Sequence, residues 1–277
     1  WIKENTPIIE ASSGSTAVSE AYFARLLGLP FIAVMPASTA KRKIEQITFY
    51  GGQCHFVEDP CQLYAESERL ARELNGHYMD QFTYAERATD WRGNNNIAES
   101  IFRQMQHEPY PIPHTVIMSA GTGGTSATLG RYIRYQGLDT KLLVVDPQHS
   151  VFFDYWQQRD ATLTSTRGSM VEGIGRPRVE PSFMPDVIDE MIKVPDGATL
   201  AAMLKLEKIL GRKPGASTGT NFWGMMQVAK RLRAANQQGS VVTLLCDSGE
   251  RYPDSYYQPE WVAKHIGDIM PWQRELE

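Results

Sequence analysis

The chain has 277 residues, 42% of them hydrophobic, and carries 28 Lys plus Arg against 32 Asp plus Glu, a formal charge of −4. That length supports one large domain or two lobes with substantial cores. No basic stripe with interleaved aromatics is present, which argues against a nucleic-acid partner, and no apolar run approaches the roughly 18–20 residues of a membrane span.

In chain order, the apolar run Pro7-Ile8-Ile9-Glu10-Ala11 leads into Ser12-Ser13-Gly14-Ser15-Thr16 and then a helix-like stretch, 17–29. A hydroxyl-rich turn between a strand and a helix N-terminus offers backbone N–H groups, side-chain donors and the positive end of a helix dipole, all suited to a carboxylate or phosphate. Ordinary helix capping is the plain alternative. A strand is predicted at 31–35, a helix at 39–50 closed by Gly51-Gly52, a strand at 54–57 and a helix at 61–74 ending at Asn75-Gly76. Further on come a strand at 115–118, a helix at 125–135, a strand at 141–145, a helix after Pro214-Gly215 running to about 234, and a strand at 240–245. Such β-α alternation with short loops predicts parallel sheets flanked by helices. The polar stretch 80–96 reads as a crossing between two lobes, 150–181 as a long aperiodic loop, and 271–277 as a loose tail.

The second informative turn is Gly121-Thr122-Gly123-Gly124-Thr125, between a strand and a helix. Its glycines let backbone approach an anion, and its threonines add donors. It is neither a P-loop nor a dinucleotide fingerprint, since Ser126 stands where GxGxxG needs glycine; a monophosphate fits, and a ligand-free glycine turn is the other reading. A third segment, Cys246-Asp247-Ser248-Gly249-Glu250-Arg251-Tyr252, follows the last strand, and Glu172-Gly173-Ile174-Gly175 and Pro214-Gly215-Ala216-Ser217-Thr218-Gly219 add further glycine-rich backbone. In open α/β sheets, ligands gather at such strand carboxyl ends.

The order of these segments, with Gln81-Phe82 between the first and second, resembles the cysteine synthase/cystathionine β-synthase family, over nearly the whole chain. The resemblance implies an α/β, two-lobed fold of the pyridoxal-phosphate fold type II (tryptophan synthase β-like). The smaller N-terminal lobe would span 1–83 and the larger, cofactor-binding lobe 84–277. It implies pyridoxal 5'-phosphate as cofactor, its phosphate gripped by Gly121, Thr122, Gly123, Gly124 and Thr125, its pyridine nitrogen faced by Ser248, and Ser15 near its hydroxyl. Substrate binding is implied for Ser12, Ser13, Gly14, Thr16, Gln81 and Gly173. A lobe that closes over the bound carboxylate would exclude water.

Two departures stand out. The family places asparagine where this chain has Ser15, and loops of the SSGST type resemble those of relatives that break down cysteine to sulfide, pyruvate and ammonia. The implied activity is therefore a lyase, L-cysteine desulfhydrase. Cysteine synthase acting on O-acetylserine and sulfide is the alternative, and a non-catalytic binding relative the second. The Schiff-base lysine, in a context like S-x-K-x-R, is expected upstream of Trp1; Lys3 has the wrong neighbours, and Lys41 and Lys43 read as solvated charge. The family likeness further implies a homodimer.

Three cysteines (Cys54, Cys61, Cys246), no CxxC pair and no visible leader point to a cytoplasmic setting. The six histidines lack metal spacing, so no metal is assigned. Trp223, Met225 and Met226 read as core, Cys246 as a strand-end packing residue, and Tyr256, Tyr257 and Trp261 as either a subunit contact or an anchor into the core.

Overall fold

The computed structural model describes residues 2–93 and 95–277. The chain divides into two compact units, 1–84 and 85–277.

The first unit runs β1 (Ile8–Ala11), α1 (Ser15–Leu26), β2 (Phe31–Pro36), α2 (Lys41–Phe49), β3 (Gln53–Val57), α3 (Leu63–Glu73), β4 (His77–Tyr78) and α4 (Gln81–Tyr84). Its four strands form one parallel sheet in the order β3-β2-β1-β4, with Glu10 opposite Ala33 in the β1–β2 register. Both faces are covered, which is why β1 and β2 read as near-continuous apolar runs. Ile8, Phe31, Ala33 and Met35 meet Ala17, Ala21 and Ala24 of α1 on one face, while Ile9, Val34, Val57 and Leu70 pack on the other. Three alanines at helical spacing let α1 lie close against the sheet. The predicted 61–74 helix begins as a 3-10 turn, where the Asp59 carboxylate accepts the Cys61 N–H at 2.9 Å.

The second unit runs α5 (Ile97–Met105), β5 (Thr115–Ser119), α6 (Gly124–Tyr135), β6 (Lys141–Pro147), α7 (Phe152–Gln158), β7 (Glu190–Val194), α8 (Asp196–Leu210), α9 (Ala216–Ala234), β8 (Val241–Thr243), α10 (Pro259–His265) and α11 (Met270–Glu275). Its parallel sheet has the order β7-β6-β5-β8. Val116, Met118, Leu142 and Val144 face one core with Leu129 and Phe152. Ile117, Leu143 and Val145 face the other, with Trp223 in it as expected and Met225 and Met226 against it. Gly219 lets α9 meet α8 closely: a Cβ there would lie 2.5 Å from the Thr199 carbonyl oxygen.

Three expectations need correcting. The 150–181 stretch is not aperiodic throughout, since it contains α7 and an antiparallel bridge between Thr164 and Arg178. The last strand is shorter than predicted, pairing with β5 only over 241–243. The 271–277 segment is not a loose tail. It is mostly α11, docked by Trp272 edge-on to Trp223 (ring centroids 5.7 Å apart) and by Leu276, which is 3% exposed.

Candidate active site

In the second unit, β5 ends at Ser119 and the chain turns through 120–123 into α6. Gly123 caps that helix at φ +90, a left-handed conformation that glycine adopts without strain. The cap residue has no side chain and the first turn holds no acid, so the N–H groups of that turn beyond Gly124 are open to a ligand. The hydroxyls of Ser126 and Thr128 do not serve there; they donate back to the carbonyls of Gly123 and Gly124, both at 2.9 Å. Thr122 Oγ1 accepts the Gly124 N–H at 3.3 Å, and Thr125 is exposed at the helix start. A dianionic phosphate at such an end gains roughly 1–2 kcal/mol from the dipole.

Packing dictates the glycines. A Cβ on Gly121 would fall 2.2 Å from the Gly173 carbonyl oxygen, one on Gly123 2.7 Å from Phe183 Cα, and one on Gly124 2.8 Å from the Ala85 carbonyl oxygen. The Gly173 loop therefore lies directly on the Gly121 turn. Gly175 N–H donates to the Ala120 carbonyl at 2.8 Å, and the Ser182 hydroxyl donates to the Thr122 carbonyl. Beyond it, Arg176 and Arg178 pair with Glu180, which is 1% exposed, at 3.0 and 3.3 Å.

Strand β8 neighbours β5, so its carboxyl end opens beside the same turn. Ser248 forms an antiparallel bridge with Pro214, and Gly215 N–H donates to the Asp247 carbonyl at 2.9 Å. The Asp247 carboxylate lies over Gly215, where a Cβ would meet Oδ1 at 1.9 Å, and it accepts the Tyr252 hydroxyl. Burial, then the Asp247 carboxylate, raise the Tyr252 phenol pKa above its usual value. Ser248 Oγ accepts the Glu250 N–H at 3.3 Å and is exposed, so its proton can still be given to a ring nitrogen. Tyr256 and Tyr257 act as anchors. The Tyr256 hydroxyl accepts the Glu172 N–H at 2.8 Å and donates to the Met170 carbonyl at 3.0 Å; the Tyr257 hydroxyl donates to the Pro214 carbonyl at 2.6 Å. An uncapped helix terminus in a glycine cradle, beside a strand end bearing an exposed neutral hydroxyl, fits a phosphate and a pyridine nitrogen.

In the first unit, β1 ends at Ala11, and Gly14 caps α1 with extended backbone and no side-chain bond. Ser12 Oγ accepts the Gly14 N–H at 3.2 Å. Thr16 donates its hydroxyl to Gln81 Oε1 at 3.0 Å, joining two residues that are 65 positions apart. Gln81 in turn donates from N and Nε2 to the two carboxylate oxygens of Glu10, at 3.2 and 3.4 Å. Ser12, Gly14, Thr16 and Gln81 therefore gather at the α1 N-terminus. Ser13 is half-buried and Ser15 exposed in the same turn.

Glu10 escaped the sequence reading, although an acid inside a parallel strand is itself a signal. It is 0% exposed, and burial pushes its carboxyl up to about 7, with the Gln81 N–H groups pulling the other way. Glu20, on α1, is pushed up to about 9 by burial and by the charge of Glu10.

The chain is 59% identical over 263 residues to L-cysteine desulfhydrase of Mycobacterium tuberculosis, a match covering 95% of this chain and 72% of that protein. It is 24% identical to cysteine synthase 1 of Emericella nidulans, covering 98% of this chain and 73% of that one. In three dimensions it resembles a hydrogen sulfide-producing enzyme of Fusobacterium nucleatum with a TM-score of 0.79 at 22% identity, over 96% of this chain and 77% of that one. That likeness supports the fold type II architecture. Residues 2–247 match the model of the pyridoxal-phosphate dependent enzymes, and the chain belongs to that family.

Proposed function

We propose that this protein is a pyridoxal-phosphate dependent lyase that eliminates sulfide from L-cysteine, yielding pyruvate and ammonia after hydrolysis. The observation carrying this reading is the 59% identity to an L-cysteine desulfhydrase across 95% of the chain, against 24% for a cysteine synthase. Bound pyridoxal phosphate supplies an electron sink for the charge left on Cα when its proton departs.

The chain's own residues supply the rest. The N–H groups at the start of α6, with Gly121, Thr122, Gly123, Gly124 and Thr125, hold the phosphate. Ser248 offers the ring nitrogen a neutral hydroxyl, which leaves it less protonated than a carboxylate would and favours prompt expulsion of a leaving group at Cβ. Ser12, Ser13, Gly14, Thr16 and Gln81 receive the substrate carboxylate at the start of α1, with Gly173 also facing the substrate and Ser15 standing where synthases carry an amide. The family pattern puts the cofactor-bearing lysine on the N-terminal side of the 12–16 loop.

The test is sulfide and pyruvate release from L-cysteine by the full-length holoenzyme, set against cysteine formation from O-acetylserine and sulfide. Efficient cysteine formation with no sulfide release overturns the reading in favour of the synthase. Ser15→Asn is expected to move the ratio toward synthesis.

The protein acts as a homodimer in the cytoplasm on this reading. Tyr22, Phe23, Leu26, Leu27 and Phe49 form an exposed apolar group on the first unit that suits a second copy, and the three cysteines are free thiols. Among the described residues, no helix is long and apolar enough to cross a membrane.

A further inference from the structure

Beneath the 12–16 loop, Thr16 and Gln81 are joined to a buried acid, Glu10, to which the proposed reaction assigns no role. Glu10 sits fully buried at the end of β1, and its two oxygens take the main-chain and side-chain N–H groups of Gln81. This fixes the Gln81 amide with its oxygen toward Thr16, whose hydroxyl proton is then spent on Gln81 Oε1 at 3.0 Å. In that state the Thr16 hydroxyl presents a lone pair, not a proton, to an arriving carboxylate. The amide of glutamine is nearly symmetric in shape, so exchanging its O and N costs little once the partner changes.

We propose that Glu10 is a positioning residue whose protonation turns the Gln81 amide over, so that the α1 loop binds its carboxylate together with a proton. With a proton on Glu10, its O–H donates to Gln81 Oε1, and Nε2 points toward Thr16. The Thr16 hydroxyl is thereby released to donate to the substrate, and the other Glu10 oxygen still accepts the Gln81 main-chain N–H. One proton is taken from solvent, and no bond other than hydrogen bonds is remade.

The surroundings favour such uptake. Glu20 faces Glu10 from α1, with its Oε2 buried and without a hydrogen-bond partner. Tyr78 on β4, whose hydroxyl is likewise buried and unbonded, and Asp80 after it face Glu10 from the other side; Tyr64 and Glu68 of α3 act on Tyr78. On β2 the register partner is Ala33. The titratable groups named here are all acids, so none supplies a positive charge to hold Glu10 ionised, and burial already brings the Glu10 carboxyl to about 7, within reach of ordinary pH changes.

The inference rests on the reading of Thr16 and Gln81 as carboxylate binders, and the experiment separates the two. Propionate, which has no amine or thiol to titrate near neutrality, is titrated into the full-length holoenzyme by calorimetry in buffers of different ionisation enthalpy. Wild type is expected to take up a proton on binding, and its affinity to fall roughly tenfold or more from about pH 6 to pH 9. Glu10→Gln, an isostere of the protonated acid, is expected to bind without proton uptake and with affinity nearly constant over that range. Difference infrared spectra should show a protonated-carboxyl band gained on binding by wild type and absent in Glu10→Gln. A flat wild-type affinity, or the same pH slope in Glu10→Gln, overturns the proposal while leaving the carboxylate site intact. Undiminished propionate binding by Gln81→Ala instead overturns the site reading beneath it.

Discussion

The starts of α1 and α6 look alike in sequence and differ in what they rest on. Each follows a parallel strand, each is capped by a glycine, and neither has a side-chain cap or an acid in its first turn. The α6 turn is wedged against main chain at Gly121, Gly123 and Gly124, whereas a Cβ on Gly14 of the α1 turn would meet nothing within 4 Å. The first is fixed by backbone contacts that have one solution. The second rests on side-chain hydrogen bonds through Gln81 to a buried acid, which on the proposal above have two arrangements. A rigid turn suits a group that stays through every turnover, and an adjustable one suits a substrate that comes and goes.

Substitutions should separate the two turns by size of effect. Gly121→Ala forces a side chain into the Gly173 carbonyl and is expected to destabilise the second unit by about 2–4 kcal/mol and abolish cofactor retention; thermal melts and cofactor absorbance after gel filtration read both. Thr16→Ala removes one donor from the proposed substrate loop and should raise KM for cysteine about tenfold, a loss of about 1.4 kcal/mol, while kcat falls less and Thr16→Ser retains most function. An equal fall in kcat with KM unchanged would count against a binding role.

Glu20 offers a pH-dependent case. Its folded pKa, raised by burial to about 9 from 4.5, means that the folded state holds a proton the unfolded chain releases. Its contribution is thus intact in acid and is lost progressively as pH climbs toward the folded value. Glu20→Gln should leave the melting temperature near pH 5 little changed and raise stability by about 1–3 kcal/mol near pH 8.5. Smallest of all, Gly14→Ala has room for its methyl and should cost only about 0.5–1 kcal/mol, through the poorer cap that alanine makes.

Much of the sheet and both glycine turns were legible in the sequence because their signals are local: short apolar runs closed by Gly, Ser and Thr. The elements that were missed depend on partners far along the chain. Helix α8 buries Ala198, Thr199, Leu200, Ala201, Ala202, Met203 and Leu206, so it is apolar around most of its surface and shows little amphipathic rhythm. Helix α11 reads as polar until Trp272 finds Trp223 and Lys205 reaches the Leu276 carbonyl, 71 positions away. Glu10 hid for a similar reason. An acid in β1 signals something buried and polar, but what it serves is set only once Gln81 is placed beside it.

The adjacent tyrosines 256 and 257 hold two different loops, one reaching 170–172 and the other Pro214. Residues 253–255 are therefore a spacer of fixed count. Changes of residue type there should be absorbed easily, while a single insertion or deletion would exchange or detach both anchors at once. Among homologous chains, length in this surface segment should be more uniform than composition, the reverse of the usual drift in exposed loops.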